Sequence, residues 1–465
     1  MFKPAFSRQA TSHCARELAS QTQTTELVHS PLRTREIIDA LRRGTVPQRG
    51  LDAFAVGLDR FEAAIQAELE GVKFGRGVFK AVRGEYGSGK TFFARWIEDR
   101  AQRLGLATSE VQISETETPL HRLETVYRRM IERLSTADQQ GGAFRSVVDG
   151  WYFALEQDVL ASGTVTEHDA ALLVERTNAL MEQKLAAITR QSPMFAVALR
   201  GYRTAMLKGD APTAEGLLAW IGGQPNVAAG AKRAANVKGD LDHFGALSFL
   251  QGLLVMLRDS GFGGLLLVLD EVETLQRVRG DVREKGLNAL RQLMDEIDSG
   301  RFPGLYVVIT GTPGFFEGPQ GIQRLPPLAQ RLHVDFTADA RFDNPRAVQI
   351  RLANFDLDRL AEVGRKVRDL FASASDQPER IHSLASNAYV SELARAVTGG
   401  LGGRVGIAPR VFLRKLVGDV LDRIDQFPDF DPRRDYALTM NESELTDVER
   451  NARAASSPDD IELPE

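Results

Sequence analysis

Gly84-Glu85-Tyr86-Gly87-Ser88-Gly89-Lys90-Thr91 fills every fixed position of G-x-x-x-x-G-K-[ST], the P-loop pattern that cradles nucleotide phosphates. The residues before it, Gly77 to Arg83 (GVFKAVR), read as a short strand. Those after it, Thr91 to Leu104, read as a helix with Phe92, Phe93, Trp96, Ile97 and Leu104 available for inward packing. Strand, glycine-rich turn and helix are the context the motif needs. Gly84, Gly87 and Gly89 let the backbone approach phosphates, and the amides of Glu85, Tyr86 and Ser88 and of the helix start point at the anion. Lys90 supplies a charge for the β- and γ-phosphates, and Thr91 offers a hydroxyl to Mg²⁺. An ordinary glycine turn is the alternative, and it explains neither the Lys-Thr pair nor the flanks.

A second element supports this. Leu265 to Leu269 is a near-continuous apolar run ending in Asp270-Glu271, the pattern of a central parallel strand covered on both faces. It would deliver Asp270 to hold Mg²⁺ through water, and Glu271 to polarise an attacking water, with Glu273 as the alternative base. The strand Gly304 to Thr310 ends in Thr310-Gly311-Thr312, where a hydroxyl could position water against the γ-phosphate; Thr310 is the first choice and Thr312 the second. Phosphoryl transfer concentrates negative charge on the γ-phosphate, where an arginine accelerates the reaction. Arg331, before a presumptive fifth strand over Arg331–Phe336, and Arg410, at the start of the last strong helix, are the candidates.

Around these motifs the 465 residues read as about three units. Residues 1–28 are polar and aperiodic, a disordered tail. The α/β rhythm of a P-loop core runs through 29–134, breaks for an α-helical insertion at 135–240, and resumes at 241–340. The insertion ends in a small, basic stretch, Ala228 to Asp240, read as a mobile loop. Residues 341–427 are helical, with helices expected near 345–353, 356–372 and 378–397, then a hinge at Gly399, Gly400, Gly402 and Gly403. Residues 428–465 form an acidic, loosely ordered tail.

A net charge of −5 gives no global field to draw the chain onto DNA. Local clusters such as Arg128, Arg129 and Arg133, or Arg410, Arg414 and Lys415, are left for phosphate contacts. A lone cysteine, Cys14, excludes an internal disulfide framework and suits a reducing cytosol. No stretch of 18 apolar residues predicts a membrane span.

The order of GEYGSGKT, LLLVLDE, VVITGT and the later Gly406-Ile407-Ala408-Pro409-Arg410-Val411-Phe412-Leu413-Arg414 resembles the AAA+ superfamily, nearest its origin-recognition-like branch. REIIDALRRGTVPQRGLDAFAVGLDRFEAAI, RGEYGSGKTFFARW, TGTPGFF and GIAPRVFLRKLV look closer still to the P-loop ATP-binding proteins of BREX phage-defence systems (BrxD-like). The resemblance spans roughly residues 30–427. It implies an α/β three-layer sandwich with a parallel sheet in the order 5-1-4-3-2 and a C-terminal helical lid. It casts Thr310 as sensor 1, Arg410 as sensor 2 and Arg331 as an arginine finger acting on a neighbouring subunit, hence a homo-oligomer. It implies ATP and Mg²⁺ as ligands, other defence-system proteins as partners, and a cytoplasmic ATPase working as motor or switch, with DNA as one candidate substrate. The chain departs from the pattern in its insertion and in having fewer than 40 residues after the lid, where origin-recognition-like proteins carry a winged helix. A nucleotide-gated binding module with little turnover is the competing reading. A small-molecule kinase is a third, opposed by the sensor-like strand and the lid.

Overall fold

Five apolar or alternating runs become the strands β1 (Val78–Arg83), β2 (Ala107–Gln112), β3 (Leu265–Asp270), β4 (Leu305–Gly311) and β5 (Gln349–Arg351). The computed structural model describes residues 30–163, 165–166, 168–401, 408–439, 445 and 450. The expected N-terminal tail, Gly402 and Gly403 of the hinge, Gly406-Ile407 and nearly all of the tail beyond 439 lie outside the described residues. All five strands pair in parallel, in the order β2-β3-β4-β1-β5. β1 therefore sits between β4 and β5, with Val82 level with Thr310 and Ile350. β3, β4 and β1 are buried along their whole length, as strands covered on both faces must be.

The two-residue period of the strands sorts the molecule into layers. Ala81, Leu265, Leu267, Leu269, Val307 and Ile309 point to one face. Helices Leu123–Arg133, His243–Asp259 and Gly280–Asp298 pack there, and the apolar cluster continues without a break into the insertion. Val82, Leu266, Val268, Tyr306, Val308 and Ile350 point to the other face, against helices Pro31–Arg42, Asp59–Lys73 and the P-loop helix Lys90–Arg103. The C-terminal helices from Leu357 onward belong to this second cluster. A charge interrupts it within the sheet: Lys80 of β1 is buried, paired with Glu68 at 2.5 Å, while the Tyr306 hydroxyl donates to the same carboxylate at 2.5 Å.

Several expectations are corrected. Arg331–Phe336 is not a strand. Pro326 and Pro327 open a helix that runs to Leu332 and buries Leu328 and Leu332, one helical turn apart. Residues 333–336 follow as irregular chain, with the Phe336 ring between the guanidiniums of Arg83 (4.8 Å) and Arg351 (5.1 Å). The fifth strand lies instead at Gln349–Arg351, inside the expected helix 345–353. Three residues are too few to carry a period, and Asn344-Pro345 imitates a helix start. The expected helix 378–397 is two, Pro378–Leu384 and Asn387–Gly400.

The insertion holds helices Phe144–Ala161, Ala170–Gln191, Pro193–Leu207, Ala211–Ile221 and Ala229–Ala234. Ala228 to Asp240 is thus not a loose loop: Ala231, Ala235 and Val237 are buried, and a Cβ on Gly216 would stand 2.6 Å from the Ala231 methyl. The start of the acidic tail is likewise docked. Arg380 donates to the carbonyls of Phe427, Pro428 and Phe430, and the Tyr436 hydroxyl to Asp419 at 3.1 Å.

Candidate nucleotide-binding site

The phosphate turn follows β1 directly. Gly87 (φ 79°) and Gly89 (φ 89°) adopt left-handed backbone that a side chain would strain. At Gly84 a Cβ would meet the Ser88 hydroxyl at 2.2 Å, so that position must lack one. Lys90 is buried and folds back onto its own turn, donating to the carbonyls of Gly84 (2.8 Å) and Glu85 (3.2 Å). Its ammonium also lies 5.1 Å from the centre of the Tyr86 ring.

The sheet brings the acids to the same place. β3 lies beyond β4 from β1, and all three end on one side because they are parallel. The Thr91 hydroxyl donates to Asp270 Oδ2 at 3.1 Å, and the Thr310 hydroxyl donates to Asp270 Oδ1. Both carboxylate oxygens are thereby oriented from neighbouring elements. Thr310 is fully buried and accepts from the Glu271 backbone N–H at 3.1 Å. Its hydroxyl acts on the acids rather than opening into the cleft, where Thr312 is also missing from the lining.

Glu271 itself sits in left-handed backbone (φ 60°, ψ 43°), a conformation costing a β-carbon residue about 1–3 kcal/mol. Gln112, level with Asp270 at the end of β2, donates to its carboxylate at 2.8 Å. Glu273 is more deeply placed. Its Oε1 stands 3.9 Å from the Lys90 ammonium, and its Oε2 is buried without a hydrogen-bond partner. Burial pushes this carboxyl up to about 7, against the pull of Lys90. Beneath the turn, Glu98 is pushed up to about 8, by burial first and by the nearby Glu110 second.

These residues line a cavity of about 990 Å³. Its floor is the phosphate turn with Thr91, Asp270, Glu271 and Glu273. One wall is apolar and comes from outside the motifs: Val46, Pro47 and Phe54 from the segment after the first helix, with Leu352 and Phe355 after β5. The C-terminal helices contribute Arg359, Val363, Pro409, Arg410 and Leu413. Arg410 is thus brought to the cleft across more than 300 residues from Lys90. Arg331 is not. It lies at the end of its own short helix, paired with Asp295 and with Asp298 at 3.5 Å, and does not line the cavity.

Gln112 and Arg277 were missed in the sequence. Both could have been sought at the C-terminal ends of parallel strands, where open sheets place their ligands. The arrangement suits Mg²⁺ brought in with a nucleotide: among the described residues no cluster of three or more His, Cys, Asp or Glu could hold a metal alone. A threonine hydroxyl and a carboxylate 3.1 Å apart would fit the protein side of such a site.

A glycine turn on a central parallel strand, a buried lysine and an oriented acid from across the sheet define a P-loop nucleotide-binding protein. The description of BREX-system ATP-binding proteins BrxC/D matches residues 30–440, most of the chain. The protein belongs to that family, which makes it an ATP-binding protein of a phage-defence system. No curated protein matches it. No described helix is long and apolar enough to cross a membrane.

Proposed function

We propose that the protein hydrolyses ATP in this cleft, within an AAA+ arrangement of core and lid, and uses the cycle to act on other components of its defence system. The observation that carries this reading is the 3.1 Å contact between Thr91 and Asp270, which joins the P-loop to the acid at the end of β3. The triphosphate lies over the turn from Gly84 to Gly89. Lys90 exchanges the carbonyls of Gly84 and Glu85 for the β- and γ-phosphate oxygens, a stronger, charge-assisted partnership. Thr91 and Asp270 would hold Mg²⁺, which would supply charge neutralisation to the phosphates. The nucleobase rests on the apolar wall of Val46, Phe54 and Phe355. Glu271 orients water and takes its proton as the water oxygen attacks the γ-phosphorus. The bond from that phosphorus to the β-bridging oxygen breaks, leaving ADP and phosphate. Arg410 reaches the phosphates from the lid. Arg331 faces a neighbouring copy in a homo-oligomer.

One observation favours a gated module as the second reading. Lys90 is bonded back to its own turn, and Glu271 is held by Gln112, so both act only after rearranging. Steady-state turnover of the wild type and Glu271→Gln separates the two. We expect the variant to lose about 10²–10⁴ in kcat while still binding ATP. Equal turnover with binding intact removes Glu271 from this role. Negligible wild-type turnover with ATP-dependent complex formation favours the gated module.

A further inference from the structure

The cleft carries an excess of acid where a terminal phosphate would lie. Asp270, Glu271 and Glu273 all line it beside Lys90. With Asp270 offset by a metal ion, a γ-phosphate still meets the Glu271 carboxylate, and like charges repel. A further cation from this side of the cleft would resolve the conflict.

Most of the arginines lining the cavity are committed to other groups. Arg60 donates to the carbonyls of Ala340 (2.7 Å) and Arg351 (2.6 Å). Arg341 stands 3.4 Å from Asp339, and Arg359 stands 3.7 Å from Asp356. Arg410 arrives from the lid.

Arg277 differs. It follows the short 3₁₀ turn Val272–Gln276 that begins immediately after Glu271, and it is exposed. Among the described residues it forms no ion pair with a carboxylate. Its guanidinium lies beside the hydroxyl of Tyr86, a residue of the phosphate turn that lines the same cavity. Burial and the nearby Glu273 raise that hydroxyl above its ordinary value, and Arg277 pulls it back. Lys90 lies against the ring of the same tyrosine. Two cations thus lie beside Tyr86 at one turn, and a phosphate oxygen offers either a stronger partner.

We infer that Arg277 is a γ-phosphate-discriminating residue: when a nucleoside triphosphate binds, its guanidinium leaves the Tyr86 hydroxyl for the γ-phosphate. The chain then distinguishes triphosphate from diphosphate without a residue from a neighbouring subunit. A diphosphate ends short of this cation and leaves it on Tyr86. The inference rests on the cleft being the ATP site, but it does not need hydrolysis.

The test measures affinities of the full chain for ADP and for a non-hydrolysable ATP analogue, each with Mg²⁺, by calorimetry. Arg277→Ala is expected to weaken the triphosphate about ten- to hundredfold, the range for a lost charged hydrogen bond, and ADP by less than about threefold. Arg277→Lys retains part of the preference. Loss of both nucleotides in equal measure in Arg277→Ala, loss of neither, or a wild type that binds both equally, overturns the inference. Lys90→Ala separates this from failure of the site: unchanged binding of both nucleotides there would mean that they bind elsewhere.

Discussion

The insertion and the lid look alike in sequence, as two runs of amphipathic helix, yet they join opposite faces of one sheet and do different work. The insertion extends the cluster that contains Leu267 and Val307, and among the described residues none from 135–240 lines the cleft. Its aromatic side chains have their polar tips satisfied: Trp151 donates to Asp259 (2.6 Å), Tyr152 to the Leu199 carbonyl (2.7 Å) and Tyr202 to Asp149 (2.6 Å). Besides glycines, its positive-φ residues among those described are Asn226 and Asn236, a type that tolerates this backbone. The lid extends the cluster containing Val82 and Val308 and sends Arg359, Arg410 and Leu413 into the cavity. On that side lie the strained Glu271 and the buried Glu273 and Glu98. Helices that place no ionisable group in the cleft buttress the sheet. Helices that close over unsatisfied charge prepare it for a ligand.

The contrast can be broken most forcefully at Trp151. Trp151→Ala empties a fully buried site and removes one of two donors to Asp259, which keeps Lys184, so unfolding in urea should show a loss of about 3–5 kcal/mol. ATP affinity of the folded protein should stay within about twofold. A tenfold change would make the insertion part of the cleft's machinery.

Glu98 probes the cleft side. Its carboxyl is raised from 4.5 to about 8 in the fold, so ionising it costs stability as pH rises through that window. The protonated form's contribution is complete below 4.5 and gone above 8. Glu98→Gln should therefore be near neutral at pH 4.5 and more stable than wild type at pH 8, on the order of a few kcal/mol. Thermal melts at the two pH values check this, and equal shifts at both would remove ionisation as the cause.

Smaller effects should separate lid from strand ends. Arg410→Ala should weaken ATP binding or turnover about tenfold with an unchanged urea midpoint, the reverse of Trp151→Ala. Gln112→Ala should free the Glu271 carboxylate and change turnover about two- to fivefold, with ATP affinity constant. A fall in affinity instead would assign Gln112 to nucleotide binding.

Much of the site was legible because it is local. Gly84 to Thr91 carries its own geometry: two positive-φ glycines, a lysine and a threonine within one turn. Asp270 was legible because an apolar run buried on both faces can only be a central strand, and parallel strands deliver their last residues to one edge. The fifth strand was not, because three residues carry no period. Nor was the placing of Arg331, whose alternating context was overridden by two prolines that start a helix. Gln112 and Arg277 have no motif at all; each matters through the neighbour that the fold gives it.

Sequence alone determined the phosphate turn and the acid strand, since each follows from spacing along a few residues. Tertiary structure alone decided which face each helical region covers, which arginines reach the cleft, and that residues 46–54 wall it. Those outcomes depend on contacts between segments hundreds of residues apart, and no local period encodes them.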